Sequence, residues 1–372
     1  MLSPFDDYPI HQTALPLAHA GGGHPDHYDR FWFNGYSEDI YFAVALGTYP
    51  NRGVIDAGVG VVRNDIQRSV FASGPIPLDR TDTSIGPITV DVIIPMRQTR
   101  ITIADNDFGI SGEITFTART AAIEEPRQTK WQGDRLQMDV TRATQLGDWS
   151  GTLIVDGEEI DLGATTLRGT KDRSWGIRPV GEPTPAAPPM VAALPQIFFL
   201  WAPINFDDVA LHYMVFEDPK GAAWSKTAAI LPVIGPDGPV VGPDAPIEHL
   251  SAADHHIHFA KGLRRSEAAT LEITRADGET ERVELEPLFT FRMRGAGYLH
   301  PTWSHGRWHG GTEVGGEVFA VDDLDTVDFH NLHVQQVVRA TWGDRVGLGV
   351  LEQLIIGPHG PSGFTDLNDG AS

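Results

Sequence analysis

Apolar and polar residues alternate with a period of two along much of this chain. Ile110–Ala118 is the clearest case: Ile110, Gly112, Ile114, Phe116 and Ala118 interleave with Ser111, Glu113, Thr115 and Thr117. That pattern places one set on each face of a half-buried strand. Runs rich in β-branched and aromatic residues at Asp39–Thr48, Gly53–Val62, Gln67–Ala72, Pro87–Pro95 and Thr99–Ala104 predict further strands, because such side chains suit a pleated surface. Tyr49-Pro50-Asn51-Arg52-Gly53 and Asn64-Asp65 read as the turns between them. Arg135–Thr141, Asp148–Val155 and Glu159–Leu162 extend the series, with Asp156-Gly157 as a hairpin turn that requires positive φ.

Pro183–Pro189 cannot be ordinary strand or helix interior and reads as a linker. Beyond it the pattern restarts at Gln196–Asn205 and Asp208–Glu217, continues through Leu271–Arg275 and Arg282–Leu285, and ends with Gly316–Val321, Leu332–Thr341 and Gly347–Ile356. No segment of a dozen residues carries an apolar stripe at helical spacing. The weak helix candidates lie in the N-terminal arm and at Ser251–His256. Roughly eighteen to twenty short strands, split by one proline-rich break, predict an all-β chain with under about a tenth helix. The expected organisation is an extended arm over 1–30, a first antiparallel barrel over 31–180, a linker over 181–195 and a second barrel over 196–372. Each half is the size of a barrel able to enclose an apolar ligand.

Charge narrows the partners. The 372 residues carry a formal net charge of −22, and no basic stripe offsets phosphate repulsion. Nucleic acid and anionic membrane surfaces are therefore not expected partners. The absence of cysteine removes disulfides, thiolate catalysis and zinc–thiolate sites. Neither a basic, apolar leader nor a membrane-spanning apolar run is present, so the expected location is cytoplasmic, without integral membrane association. No Gly-x-Ser-x-Gly, phosphate-binding loop or dinucleotide fingerprint occurs, and no cofactor is expected.

The stretch Gly169-Thr170-Lys171-Asp172-Arg173-Ser174-Trp175-Gly176 sets a carboxylate, an arginine and a tryptophan between two glycines. It resembles the Gly-x-x-x-Asp-(Arg/His)-x-(Trp/Thr)-Gly element of the carotenoid 1,2-hydratase (hydroxyneurosporene synthase) and AttH-like group. Tyr28–Tyr36 and Trp201–Asp208 resemble strings in uncharacterised bacterial members of that group. The resemblance implies two lipocalin-like antiparallel β-barrels in tandem, an architecture to which the fungal decalin-forming Diels–Alderases are also similar. It further implies that Asp172 protonates an isoprenoid double bond. A tyrosine assists two residues earlier in the group, where this chain has Thr170.

Read from its own surroundings, Asp172 acts as a general acid at neutral pH only if an apolar pocket raises its pKa. Along a strand it shares a face with Ser174, while Arg173 and Trp175 share the other. The alternative is a salt-bridged corner with Trp175 as a core plug. A second concentration spans Tyr298 to Gly310, where Tyr298, His300, Trp303, His305, Trp308 and His309 form either a pocket wall or a packed turn between the barrels. Its glycines and proline disfavour the helix that regular metal ligation would use, so no metal is expected. His256 and His258 share one strand face, His330 and His333 fall on opposite faces, and Asp207-Asp208 reads as solvated. Two functions stay open. One is a cofactor-independent hydratase, isomerase or cyclase acting on a lipophilic (isoprenoid, polyketide or steroid-like) molecule inside a barrel. It would use Asp172, Tyr298, His300 and His305, with Thr170, Trp175, Trp201, Trp303 and Trp308 at the substrate. The other is a carrier for a hydrophobic small molecule.

Overall fold

The computed structural model of the chain describes residues 4–164, 167–182, 195–324 and 327–372. It is 57% strand and 5% helix, arranged as two antiparallel curled sheets that make two lipocalin-like barrels in tandem. The first sheet has 14 strands and the second nine. In the first, the strand His27–Tyr36 sits centrally between Ile40–Tyr49 and Arg168–Ile177. In the second, Ile197–Asn205 lies between Val209–Glu217 and Arg345–Ile356.

Four details differ from the sequence expectation. The first barrel begins at His27, so its opening strand takes the last residues assigned to the arm. Arg135–Thr141 and Asp148–Val155 belong to one 21-residue strand, Arg135–Val155, which pairs with five neighbours in turn. Ser251–His256 is no helix: Ala252–Phe259 is a strand whose alternate residues face solvent. Finally, Glu313–Ala320, far into the second half, pairs with Ile66–Pro75 and forms an edge of the first sheet. The proline-rich segment 183–194 lies outside the described residues.

The central strands are buried on both faces, which is why they read as nearly continuous apolar runs. In Ile40–Tyr49, Phe42, Val44 and Leu46 fill the first barrel, while Tyr41, Ala43 and Ala45 face outward against the second sheet. In Ile197–Asn205, Phe198, Leu200, Ala202 and Ile204 fill the second barrel, while Phe199 and Trp201 face the first. The barrels thus pack outer face to outer face through a shared layer including Trp32, Tyr36, Tyr41, Phe199, Trp201 and Phe291. At about 1.5–3 kcal/mol for each large apolar side chain removed from water, this layer is a core rather than a loose domain contact.

Candidate functional site: a cavity between the barrels

The strand Arg168–Ile177 lies in the wall that the two barrels share. Its alternation sends Thr170, Asp172 and Ser174 toward the second barrel and Lys171, Arg173 and Trp175 toward the first. Asp172 is flanked across the sheet by Trp32 on one side and Thr144 on the other. In front of it lies a cavity of about 250 Å³, closed on the first-barrel side by Tyr28, Trp32 and Arg142, and on the other by Phe199, Trp201, His333, Glu352 and Tyr298. The cavity is not inside a barrel, contrary to the sequence expectation. The first lumen is filled by Phe33, Phe42, Phe116 and Trp149, whose rings pack edge to face or tilted.

Asp172 is 7% exposed. Its Oδ2 lies 3.0 Å from Arg142 Nε, close enough for an ion pair but not aligned as a hydrogen bond, and Oδ1 is buried with no partner. Burial pushes its pKa up and the Arg142 charge pulls it down; burial wins, helped by the nearby carboxylates Glu125 and Glu352, and the carboxyl is pushed up to about 7. The reason Arg142 does not prevail is that it is shared. It also reaches Glu125 at 3.4 Å, and Glu125 in turn lies 3.3 Å from His212. Burial raises Glu125, but Arg142 and His212 outweigh it and hold that carboxyl below its usual range.

On the opposite wall, His333 is 3% exposed and its Nε2 meets Glu352 Oε1 at 2.6 Å. Glu352 Oε2 accepts from Gln335 Nε2 at 2.6 Å, and Gln335 Oε1 accepts from Asn34 at 3.0 Å and from the Tyr41 hydroxyl. With both Glu352 oxygens accepting, Nε2 carries the imidazole proton and Nδ1 is left without a partner. His333 was set aside in the sequence because it cannot share a metal with His330. The signal for it was a pair of polar residues on one face, His333 and Gln335, in the strand His333–Trp342.

Of the other expected residues, Tyr298 and Trp201 line the cavity. Tyr298 is held there by a tight loop, between Gly297 at φ +90° and Leu299 at φ +54°, and its ring stands edge-on to Trp32, His305 and His333. His305 touches Tyr298, but both of its nitrogens are committed. Nδ1 accepts from Arg30 at 2.7 Å, and Nε2 donates to the Ala296 carbonyl at 2.9 Å. Burial and the Arg30 and Arg178 cations push its pKa well below the usual histidine range, so it braces the loop and has no proton to exchange. His300 is likewise structural and does not line the cavity: Nδ1 accepts two backbone N–H groups, of Thr302 and Trp303, and Nε2 faces Glu317 at 3.3 Å.

Thr170 shares the face of Asp172 but does not line the cavity; its N–H donates to Asn34 Oδ1 at 2.9 Å. Trp303 stacks on Phe71 and His309 away from the cavity. Trp175, on the opposite face of the sheet from Asp172, is 41% exposed, and Trp308, at a loop tip, is 52% exposed. Neither plugs a core or meets a ligand in the cavity. Asp207 and Asp208 form surface pairs with Arg168 and Arg345. Among the described residues no three His, Asp or Glu side chains converge as a metal site.

Besides an open trough of about 550 Å³ on the second sheet, where His256 and His258 lie 3.8 and 3.2 Å from Glu272 and Glu267, two more wider concavities compete with this one. That at the mouth of the first barrel, about 590 Å³, is lined by Arg80, Arg100 and Arg173, but these pair with Asp29 and Asp91. The other contains His359, set between Glu217 at 3.0 Å and Ser362 at 2.8 Å. The N–H groups of Ser362 and Gly363 are spent on the carbonyls of His359 and Gly360, leaving no donor there for an oxyanion. Of these concavities among the described residues, the inter-barrel cavity joins apolar walls to unpaired acid–base groups.

Fold and cavity together define a double-barrel β protein with a partly open, aromatic-walled pocket where the barrels meet. The chain belongs to a family of unknown function (DUF8625), which it matches over residues 2–365. No curated protein matches its sequence. No helix among the described residues is long and apolar enough to cross a membrane.

Proposed function

We propose that the protein is a cofactor-independent enzyme that binds a lipophilic molecule between its barrels and starts a hydration, isomerisation or cyclisation by proton transfer from Asp172. The observation that carries this reading is the carboxyl itself, buried at the wall of a largely apolar cavity with one oxygen unpaired, where burial pushes its pKa up to about 7. A group whose pKa matches the working pH is the best placed to give up a proton in a transition state. The cation that follows protonation of a double bond meets the rings of Trp32, Phe199, Trp201 and Tyr298, whose faces stabilise positive charge. Tryptophans 175, 303 and 308 have no part in this.

Size limits the substrate. A dry cavity of about 150 Å³ takes up benzene, so ~250 Å³ suits a bicyclic or short isoprenoid skeleton, or the end of a longer chain. A whole carotenoid is too large to be enclosed.

The test is native mass spectrometry to identify a co-purifying lipophile, followed by turnover of that compound with Asp172→Asn. The variant should bind it as the wild type does and lose turnover by ~100-fold or more. Normal turnover would remove Asp172 from the chemistry. A ligand bound tightly but never converted by the wild type would make the protein a carrier.

A further inference from the structure

The polar atoms left unpaired around the cavity do not suit a hydrocarbon. Trp32 Nε1 and Trp201 Nε1 are buried donors with no partner, and so is Asp172 Oδ1 whenever it carries the acid proton, because Arg142 occupies the side of Oδ2. Gln128 Oε1 and Arg178 Nε, also at the cavity wall, are unpaired as well. Across the cavity from Trp32 and Asp172, and on the same wall as Trp201, His333 Nδ1 offers a lone pair, with its ring fixed by Glu352 and the Gln335–Tyr41–Asn34 network behind it. Trp32 and Asp172 on one wall, Trp201 on the wall of His333 and the oriented base itself supply the parts of an enolisation site: the donors hold an oxygen as charge develops on it, and the base takes a proton from the neighbouring carbon.

We infer that the substrate is a lipophilic ketone or aldehyde bearing hydrogen on the carbon next to its carbonyl, and that His333 is the base removing that hydrogen while Asp172, Trp32 and Trp201 bind the oxygen. This rests on reading the cavity as an enzyme site, and it assigns that site a substrate class and a second catalytic residue. In the first step the C–H bond breaks and its proton goes to His333 Nδ1. The bonding pair becomes the carbon–carbon double bond of the enol, and the carbonyl π pair takes the Asp172 proton onto oxygen. In the second step the enol O–H proton returns to Asp172, and His333 delivers its proton to carbon. Delivery to the same carbon exchanges the hydrogen; delivery two carbons further along an unsaturated ketone moves the double bond. Both groups end as they began, and no oxidant, reductant or cofactor is consumed. Glu352 acts as a positioning residue, holding the imidazole in the tautomer whose lone pair faces away from the carboxylate.

The probes are 2-decalone, its hydrocarbon counterpart decalin, and the alkene Δ9,10-octalin, all near the size the cavity admits. In D2O the wild-type protein should speed deuterium entry at the carbons flanking the 2-decalone carbonyl by at least ~100-fold over buffer, and His333→Gln should remove most of that gain while still binding the ketone. Trp201→Phe keeps the ring and deletes the donor, so it should weaken 2-decalone ~5–10-fold and leave decalin unchanged. Should His333→Gln fail to fold, Glu352→Gln serves instead. It leaves the base in place but loosens its orientation, so exchange should slow and its pH profile should shift. Equal affinity for decalin and 2-decalone, or exchange indifferent to His333 and Glu352, would overturn the inference. If exchange is absent but octalin is converted in an Asp172-dependent way, the enzyme reading survives and this one falls. If neither ketone nor alkene reacts, both fall.

Discussion

Replacing Asp172 by asparagine should change the sign of its effect on stability with pH. In the unfolded chain an aspartate gives up its proton near 3.8, whereas in the fold Asp172 keeps it to about 7. Between those values the folded protein holds a proton that the unfolded chain has released, so wild-type stability falls as pH climbs through the window and levels off above it. About three pKa units at ~1.4 kcal/mol each amount to ~4 kcal/mol for the full span, with the opposing attraction of Arg142 already contained in that shift. Asp172→Asn has no such loss. The variant should match or trail the wild type near pH 4 and exceed it by up to ~4 kcal/mol at pH 8.5. For a chain of 372 residues, an unfolding entropy of ~2.1 cal/mol/K per residue converts that to a Tm gain of ~5 °C. Differential scanning calorimetry of both proteins from pH 4 to 8.5 reads it directly, and the difference between them cancels other titrating groups such as Asp56. A variant less stable than wild type at every pH, with the gap widening above pH 5, would mean that an ionised Asp172 clamps Arg142. The salt-bridged corner would then replace the acid.

His305→Ala strips one acceptor from Arg30, a cation only 1% exposed that keeps the Tyr49 hydroxyl; unfolding in urea should register a loss of ~2–4 kcal/mol. That loss should be the same at pH 6 and pH 8, since the histidine is neutral throughout. Trp175→Ala and Trp308→Ala should each shift stability by no more than ~0.5 kcal/mol and leave ligand affinity unchanged by fluorescence titration, because both rings stand in solvent.

What the sequence made legible was whatever depends on near neighbours. Period-two runs became strands, Asp156-Gly157 became a turn with both residues at positive φ, and Asp172 does face away from Arg173, which pairs instead with Asp29 at 2.7 Å. What it hid was register across distance. Arg142, the cation that meets Asp172, stands 30 positions earlier and reaches it because Thr144 and Asp172 are opposed on adjoining strands. Glu352 finds His333 only because two late strands pair in one register. His300 and His305 looked functional by density alone, yet nitrogen lone pairs already taken by backbone and arginine donors disqualify them, and no spacing rule displays that. Trp175 was expected inside because tryptophan usually is; its strand position puts it on the wrong face.

The strand Glu313–Ala320 has a consequence for how the protein is made. Its partner, Ile66–Pro75, leaves the ribosome early, and the chain that completes its edge follows about 240 residues later, ~10–50 s at ordinary rates of synthesis. Throughout that interval the nascent first barrel presents an unpaired strand and the uncovered aromatic face of Trp32, Tyr36 and Tyr41, which together form a template for pairing with other chains. Expressing residues 1–182 alone would freeze the protein in that condition, so a half-length product should aggregate where the whole chain folds. A cut in the proline-rich segment would therefore part the first sheet from its own edge: the chain beyond carries, in the eight residues Glu313–Ala320, the strand that covers Ile66–Pro75.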